Sequence, residues 1–457
     1  MTKIVGQQHA ILRVSSLAFG LWAGYLIYTI NLQDNFPAVQ TIYPSNFRLL
    51  PTPLGLLSGT FVTPILMDKY KSRQVLFFGA YNAILAVVVM PFAFAPEVLF
   101  VYRYFFGMSL GLLFMRYCMF VSTVVPSGRI VEYSSYLVNG FGTGAIIAGL
   151  TAYVTYDDGD FVRAFRIPYF VGIGMLIGWI IWDVLFMPDT TGTLFKEGKN
   201  DQARELIAEF LEKPMVHEDV NERYKELQSA QKMQEVKRPW IIEPLINSKL
   251  RKNAILTGVF MYFIFSSFPA SIIFYGTTLL QTNFDGKTNI LVSVVFSIFF
   301  FVSSLFARIL IKKITAKISL ALTSLVLFIL AIILCFVQVI SKGYAIVIVA
   351  LYGIISSISI IIAFTFVMQV FHEEAKSRSI ACAFLSGWFG AIISLLIYLI
   401  SSLYLDMPKL SIYAEALFSL GAFWWYLLVP MPNREKENAF HQSRRELLGQ
   451  STLSTIQ

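Results

Sequence analysis

The stretch MPDTTGTLFKEGKNDQAR, from Met187 to Arg204, begins a polar segment in the middle of a mostly apolar chain. A helix that crosses a membrane needs ~20 mostly apolar residues. By that measure, six apolar runs precede the polar segment and six follow it. Two equal sets of spans predict an all-α membrane protein with twelve transmembrane helices in two six-helix bundles. The predicted spans are residues 14–32, 50–67, 74–95, 98–124, 133–154, 167–187, 254–280, 290–311, 318–340, 345–371, 380–404 and 411–430.

The composition indicates a lipid environment. Of the 457 residues, 56% are hydrophobic and 14% are charged, whereas about 25% of residues are charged in typical soluble domains. A soluble protein could not cover that much apolar surface. The net charge of +8 is explained by basic loops on one side of the membrane, and no nucleic-acid-binding motif accompanies it. We therefore expect the lipid bilayer as a partner and no nucleic acid.

The loop charges predict the orientation of the chain. With a cytoplasmic N-terminus, the even-numbered loops contain Lys69, Arg73, Lys376 and Arg378, whereas an odd-numbered loop contains the acidic run YDDGD. By the positive-inside rule, both termini and the central segment are then cytoplasmic, and we expect this multi-pass protein in the plasma membrane. The predicted units are an N-terminal six-helix bundle at 1–187, a cytoplasmic linker with short helices at 188–250, a C-terminal six-helix bundle at 251–430 and a cytoplasmic tail at 431–457.

Several motifs resemble those of a known family. PILMDKYKSRQVLF, residues 64–77, resembles the loop between the second and third helices of the major facilitator superfamily, and VYRYFFGMSLGLLF, residues 101–114, resembles its fourth helix. The opening stretch resembles the motif that follows the sixth helix in the sugar porter subfamily. A carboxylate at a helix end can pair with cations on a neighbouring helix and so latch one conformation. The resemblance to a divergent sugar porter assigns gating roles to Asp68, Arg73, Arg103 and Asp189.

Later motifs resemble the helices that line the solute path of sugar porters. SIIFYGTTLL, residues 271–280, resembles part of the seventh helix, and CAFLSGWFG, residues 382–390, resembles part of the eleventh. The resemblance implies a solute site between the two bundles. The candidate substrate-binding residues are Trp388, Tyr275, Thr277, Asn139, Arg116 and Tyr28.

The chain lacks the amide side chains with which sugar porters hold a sugar. Aligned on these motifs, Ile264 and Phe265 replace a glutamine pair and Gly387 replaces an asparagine. Counted back from the KK loop at residues 312–313, Phe300 replaces a second asparagine. An unmet polar group in a buried site costs about 1–3 kcal/mol. Ordinary hexose recognition is therefore expected to be weak unless other groups substitute, and serines in these helices are expected to bond to their own helix carbonyls.

The first helix also lacks a carboxylate. In FGLWAGYLIYTINL, residues 19–32, Leu26 occupies the position of the acid that titrates in proton-coupled relatives. Without that acid the helix has no obvious group to bind and release a proton. Glu415, near the start of the last span, is expected to be an ordinary interfacial residue. We therefore predict facilitated transport without proton coupling.

Arg116 lies within the apolar run GLLFMRYCMF, residues 111–120, where a permanent charge needs a reason. Two interpretations are open. In the first, Arg116 extends to the cytoplasmic interface or joins a gate with a carboxylate such as Asp183. In the second, it gives the cavity a positive potential that favours an anionic solute.

Together these features predict a transmembrane transporter of a small polar solute, a sugar or polyol, that works by alternating access without a cofactor. A carrier of a small organic anion and a non-transporting nutrient sensor are the alternatives. An enzyme is not expected, because the four histidines are dispersed and no nucleophile–base spacing or metal cluster occurs. We expect a monomer.

Overall fold

The computed structural model describes residues 7–33, 49–93, 95–156, 161–237, 242–267, 286–313, 316–335, 342–371, 376–403 and 409–429, and all regular elements in these ranges are helices. The long helices of the first half are α1 (Gln7–Gln33), α2 (Pro51–Lys69), α3 (Ser72–Val89), α4 (Pro96–Val124), α5 (Ser127–Thr155) and α6 (Phe161–Phe186). Four shorter helices follow: α7 (Thr191–Lys196), α8 (Asn200–Leu211), α9 (Glu218–Lys237) and α10 (Glu243–Ile246). The second half contains α11 (Ser248–Ser266), α12 (Gly286–Lys313), α13 (Ala316–Cys335), α14 (Lys342–Val370), α15 (Lys376–Leu403) and α16 (Lys409–Leu428).

Most of the long helices have the length and composition of membrane spans. Among the described residues, nine helices meet both requirements: α1, α3, α4, α5, α6, α12, α13, α14 and α15. The other three predicted spans coincide with α2, α11 and α16, which are 19, 19 and 20 residues long and pack against these nine. The predicted seventh span, 254–280, continues past α11 into residues outside the described ranges.

The two halves repeat one pattern of helix pairing. In the first half, α1 packs against α5, α2 against α4, and α3 against α6. In the second half, α11 packs against α15, α12 against α14, and α13 against α16. Each pair in one half thus has its counterpart six spans later, as expected for a fold built from two related bundles.

Glycine residues lie where α1 and α5 approach each other closely. An added Cβ at Gly24 of α1 would lie 2.1 Å from the carbonyl oxygen of Phe141 on α5. An added Cβ at Gly144 of α5 would lie 2.1 Å from the carbonyl oxygen of Leu21 on α1. No side chain fits at either position, so glycine lets the two backbones touch, as it commonly does between membrane helices.

The short helices α7, α8 and α9 lie at one end of the first half, which we name the linker side, whereas α10 packs against α11 and α15 of the second half. Helix α8 contacts α1 and α4. The residues Leu206, Ile207 and Phe210, whose spacing predicted an apolar helix face, are buried there. The two halves meet chiefly through α5 against α12 and α2 against α15. A cavity lies between these two contacts.

Candidate functional site

The cavity between the halves has a volume of about 90 Å³. Four helices of each half line it: α1, α2, α4 and α5 from the first, and α11, α12, α14 and α15 from the second. They form two equivalent pairs in each half, α1–α5 and α2–α4 in the first and α11–α15 and α12–α14 in the second. The two halves therefore contribute equivalent helices to the cavity wall. The lining residues are Phe19, Gly20, Ala23, Ile27, Leu56, Leu110, Phe114, Leu137, Val138, Phe141, Phe265, Phe300, Ile360, Phe364 and Trp388.

Aromatic rings from both halves meet around the cavity. The ring centroids of Phe114 on α4 and Phe364 on α14 are 5.3 Å apart, and those of Phe141 on α5 and Phe300 on α12 are 6.0 Å apart. Of these four residues, the resemblance to sugar porters placed only Phe300 at the solute site, as the replacement of an asparagine, and it did not indicate Phe114, Phe141 or Phe364. The high aromatic content of 15% is compatible with an aromatic cavity wall, but composition does not determine which rings face the cavity.

Two polar side chains beside the cavity are used to join the halves. The indole Nε1 of Trp388 donates to Thr60 Oγ1 over 3.0 Å, which links α15 to α2. The hydroxyl of Ser304 on α12 donates to the side-chain oxygen of Asn139 on α5. Both side chains are buried. Their hydrogen bonds cross from one half to the other on two sides of the cavity.

The candidate substrate-binding residues have different surroundings. Trp388 lines the cavity, whereas Asn139 is next to lining residues without being one of them. Tyr28 is buried and packs edge-on against Phe141, with ring centroids 6.1 Å apart. Tyr275 and Thr277 lie outside the described residues.

Several serines near the cavity bond to their own helices. The hydroxyl of Ser266 donates to the carbonyl of Tyr262 over 2.7 Å, and that of Ser267 donates to the carbonyl of Ile264 over 2.7 Å. The hydroxyl of Ser357 bonds in the same way within α14. These contacts match the expectation that such serines satisfy local backbone carbonyls.

Arg116 is buried among α3, α4 and α6. Its Nη1 lies 3.0 Å from Asp183 Oδ2, and the two side chains are 8% and 3% exposed. Its Nε donates to the carbonyl oxygen and the hydroxyl of Ser72, over 3.1 and 3.0 Å. Arg116 is not among the residues that line the cavity. This is the pairing that the first interpretation of Arg116 requires.

A set of bonds crosses between the halves at the linker side. Asp68 Oδ2 at the end of α2 accepts from Arg378 Nη2 of α15 over 2.6 Å. The ammonium of Lys376 donates to the carbonyl of Ser122 on α4, and the side-chain amide of Gln369 donates to a carbonyl at the start of α5. These bonds hold the linker-side ends of α2, α4 and α5 to α14 and α15.

Further ion pairs attach the linker to the first half. Arg73 Nε lies 3.3 Å from Asp189 Oδ1, so the structure brings these two predicted gating residues together. Lys71 and Lys199 each lie 2.6 Å from a carboxylate oxygen of Glu197. Hydrogen bonds from Lys199 and then Lys71 lower the pKa of Glu197 to about 2, so this carboxylate stays charged at physiological pH.

Arg103 does not belong to the linker-side cluster. It is fully buried near the start of α4. At a rise of 1.5 Å per residue, it lies ~20 Å along the helix from Arg116. Of the four predicted gating residues, the structure therefore groups Asp68, Arg73 and Asp189 and separates Arg103 from them.

Two buried carboxylates were not anticipated. Glu415 is 1% exposed and accepts a hydrogen bond from Ser394 over 3.3 Å, so the expectation of an interfacial residue was wrong. The reason is that α16 packs against α11, α13 and α15, which cover this position. Glu132 on α5 is also buried, 2.7 Å from Arg13 Nε on α1. No pattern in either helix predicted these contacts.

The described part of the chain contains no group of three or more His, Cys, Asp or Glu side chains that could hold a metal ion.

A comparison with protein families identifies the class to which this architecture belongs. The model of the family described as Sugar (and other) transporter matches residues 49–435, which extend through both halves and the linker. The chain belongs to this family. The resemblance that the motifs indicated is thereby confirmed, and the family is one of transporters, not of enzymes.

Known proteins similar to this family member include a plant relative and several solved structures. "Probable inositol transporter 2" of Arabidopsis thaliana is 21% identical over 276 residues, which are 57% of this chain and 44% of that protein. The matched region therefore spans less than half the length of that relative.

The solved structures confirm the predicted major facilitator fold. The proton:xylose symporter XylE bound to 6-bromo-6-deoxy-D-glucose has a TM-score of 0.72 and 13% identity, over 93% of this chain and 97% of that one. XylE from E. coli in a partially occluded inward-open conformation has a TM-score of 0.70 and 13% identity, over 94% and 98%. FucP in the outward conformation has a TM-score of 0.62 and 13% identity, over 91% and 97%.

Proposed function

We propose that this protein carries a small solute of the sugar or polyol class across a membrane by alternating access. The observation that carries the proposal is the family match over residues 49–435, which includes eleven of the twelve predicted spans and seven of the eight helices that line the cavity. The solute class is supported by the relative named as a probable inositol transporter and by the similar fold of a xylose symporter.

The proposed mechanism is a rocking of two bodies around the cavity. One body is the bundle at 1–187 together with α7, α8 and α9 of the linker, which ion pairs such as Arg73–Asp189 tie to it. The other is the bundle at 251–430. Asp68 and Arg378 act as a latch that closes the linker side. Breaking this latch and the hydrogen bonds beside it opens the cavity to that side.

We assign Arg116 to the framework of this gate. Its charge is compensated by Asp183, and the linker-side ends of α3, α4 and α6 meet at this pair. A neutralised arginine outside the cavity wall gives an anionic solute little attraction. The sugar or polyol alternative is therefore preferred over the organic anion. Arg103, at the other end of α4, is proposed to act in the opposite gate.

We propose facilitated transport without proton coupling. The described residues that line the cavity include no carboxylate, and Leu26 is a buried apolar residue in the first helix. A solute that moves down its own gradient needs no titrating group in its path. The buried acids Asp183 and Glu132 are paired with arginines, and neither lines the cavity. The buried Glu415 accepts a hydrogen bond from Ser394 and does not line the cavity either.

The charges of the loops support an orientation of the chain in the membrane. We propose that the linker side and both termini face the cytoplasm, because basic side chains such as Lys71, Arg73, Lys376 and Arg378 cluster there. The proposed location is the plasma membrane. One chain supplies all the helices around the cavity, so the proposed functional unit is a monomer.

Uptake into proteoliposomes tests the proposed function. Labelled xylose, glucose, myo-inositol and a small carboxylate are offered with and without an inward proton gradient, and protein-free liposomes serve as the control. We expect saturable uptake of a sugar or polyol that equilibrates and does not respond to the gradient. Accumulation above equilibrium under the gradient would refute facilitated transport. Binding without any uptake would identify a sensor instead.

A further inference from the structure

The described wall of the cavity offers a solute no free polar side chain. Its lining side chains are aliphatic or aromatic, apart from one glycine, and the single polar atom among them is the indole nitrogen of Trp388. That nitrogen donates to Thr60. Neighbouring Asn139 accepts from Ser304. A bound molecule therefore meets ring faces, ring edges and methyl groups on this wall.

The apolar character extends to the contact between α11 and α15. An added Cβ at Gly387 would lie 2.9 Å from Cδ2 of Phe265, so the Phe265 ring occupies the space that a side chain at 387 would need. The same ring packs edge-on against Trp388, with centroids 4.7 Å apart. The ring of Phe265 therefore fits only because residue 387 is glycine. At these two positions sugar porters have a glutamine and an asparagine, and this chain has one aromatic ring instead.

A second phenylalanine of the same half, Phe300 on α12, also replaces an amide side chain of sugar porters. Phe300 on α12 lines the cavity and packs against Phe141 of the opposite half. An added Cβ at Gly142 would lie 3.3 Å from Cδ1 of Phe300, so the missing side chain leaves room for this ring. We name Phe114, Phe141, Phe265, Phe300, Phe364 and Trp388 the aromatic cage.

We propose that the solute presents an apolar ring or chain to the aromatic cage, so that glycosides or polyol derivatives with an apolar group bind in preference to free sugars. The proposal rests on the proposed function and narrows its substrate class. Hydroxyl groups buried against this wall would lose water without gaining partners. An aromatic or aliphatic group would instead gain apolar burial and favourable ring contacts.

Binding measurements on the full-length protein in nanodiscs test this substrate class. The probes are phenyl β-D-glucopyranoside, D-glucose and myo-inositol, measured by calorimetry against the same preparation. Because burial of one phenyl ring is a large apolar gain, we expect the phenyl glucoside to bind at least about tenfold more tightly than glucose. Equal or tighter binding of glucose or inositol would overturn the proposal.

Matched variants locate the effect in the cage. Phe265→Leu removes a cage ring, and Phe389→Leu makes the same change on the outer face of α15, where Phe389 is 53% exposed. We expect the cage variant to weaken phenyl glucoside binding about threefold or more while glucose binding stays constant. The outer variant should change neither. Phe300→Leu is the second cage variant if Phe265→Leu fails to fold, and unchanged binding in a folded cage variant would contradict the proposal.

The same preparation separates this inference from the proposed function. Uptake of free sugars with no preference for the phenyl glucoside would leave the transport function intact and refute the substrate class. Preferential binding of the phenyl glucoside without uptake of any probe would support the substrate class and refute the transport function.

Discussion

At the scale of single residues, Arg116 shows what the sequence can and cannot predict. A charge in an apolar run marks the position as special, and Asp183 was a possible partner by its helix and depth. The backbone carbonyl and hydroxyl of Ser72 complete the coordination of the guanidinium, and nothing in the sequence predicted them. The choice between a gate and an anion site depends on which face of α4 turns toward α6, and side-chain type does not determine that.

Removing one partner of the Arg116–Asp183 pair should destabilise the protein strongly. Arg116→Gln or Asp183→Asn leaves a buried charge without its partner, and such a change costs about 3–5 kcal/mol. The double variant should recover most of the lost stability. Thermal unfolding in nanodiscs, followed by tryptophan fluorescence, measures this. Asp219→Asn, at the exposed Lys213–Asp219 pair, is the control and should cost only about 0–1 kcal/mol.

The anion-site interpretation predicts a different pattern for Arg116→Gln. Uptake of an organic anion would be lost while the melting temperature stayed near that of the wild type. That result would contradict the framework role proposed for this pair.

At the scale of helices, apolar runs predicted where the spans lie, because length and composition alone decide whether a segment crosses lipid. They could not predict which face of each helix lines the cavity. A buried membrane helix is apolar on all sides, so the usual contrast between a polar and an apolar face is missing. The alignment with sugar porter motifs marked Phe265 and Phe300, but nothing in the sequence distinguished Phe114, Phe141 and Phe364 from the many other phenylalanines. The glycines were more informative, since small residues at spacing four predict close helix pairs.

The glycine contact between α1 and α5 should tolerate no side chain. Gly24→Ala places a methyl group against the carbonyl of Phe141, and forcing an extra methyl into a packed site costs about 1–3 kcal/mol. We expect a lower melting temperature and reduced uptake. Gly178→Ala on α6 is the matched control, because no atom lies within 4 Å of the added Cβ. An equal response of the two variants would show that close approach is not what glycine provides at position 24.

At the scale of the whole molecule, the sequence predicted two bundles and a carboxylate latch but not the partner of that latch. Asp68 was expected to pair with a cation on a neighbouring helix, and the structure pairs it with Arg378 across the two halves. Sequence separation conceals this contact, because only the packed arrangement of the halves brings α2 beside α15. The described conformation has its linker-side ends joined.

Breaking the latch should shift the molecule toward opening at the linker side. Arg378→Gln removes a partly exposed ion pair worth about 1 kcal/mol, which corresponds to about a fivefold change in population. The readout is the rate at which an impermeant maleimide labels Met119→Cys from the linker side, in a background with Cys118, Cys335 and Cys382 replaced by alanine. Met119 is buried and borders a pocket at that side. We expect faster labelling in the variant.

The reversed pair, Asp68→Arg with Arg378→Asp, is the control for the latch, and it should return the labelling rate toward that of the starting protein. Labelling that stayed fast in the reversed pair would mean that the positions matter for packing and not for charge.

The repeated pairing of helices has a consequence for how the chain is made. Every long helix before the linker finds its main partner among the first six: α1 with α5, α2 with α4, α3 with α4, and α6 with α1. Once Phe186 has left the ribosome, a complete set of neighbours has therefore already reached the membrane. The first bundle can assemble while the second is still being translated, because domains generally fold as units during synthesis. The later half then arrives beside a finished surface and needs only its own three pairs to complete the fold.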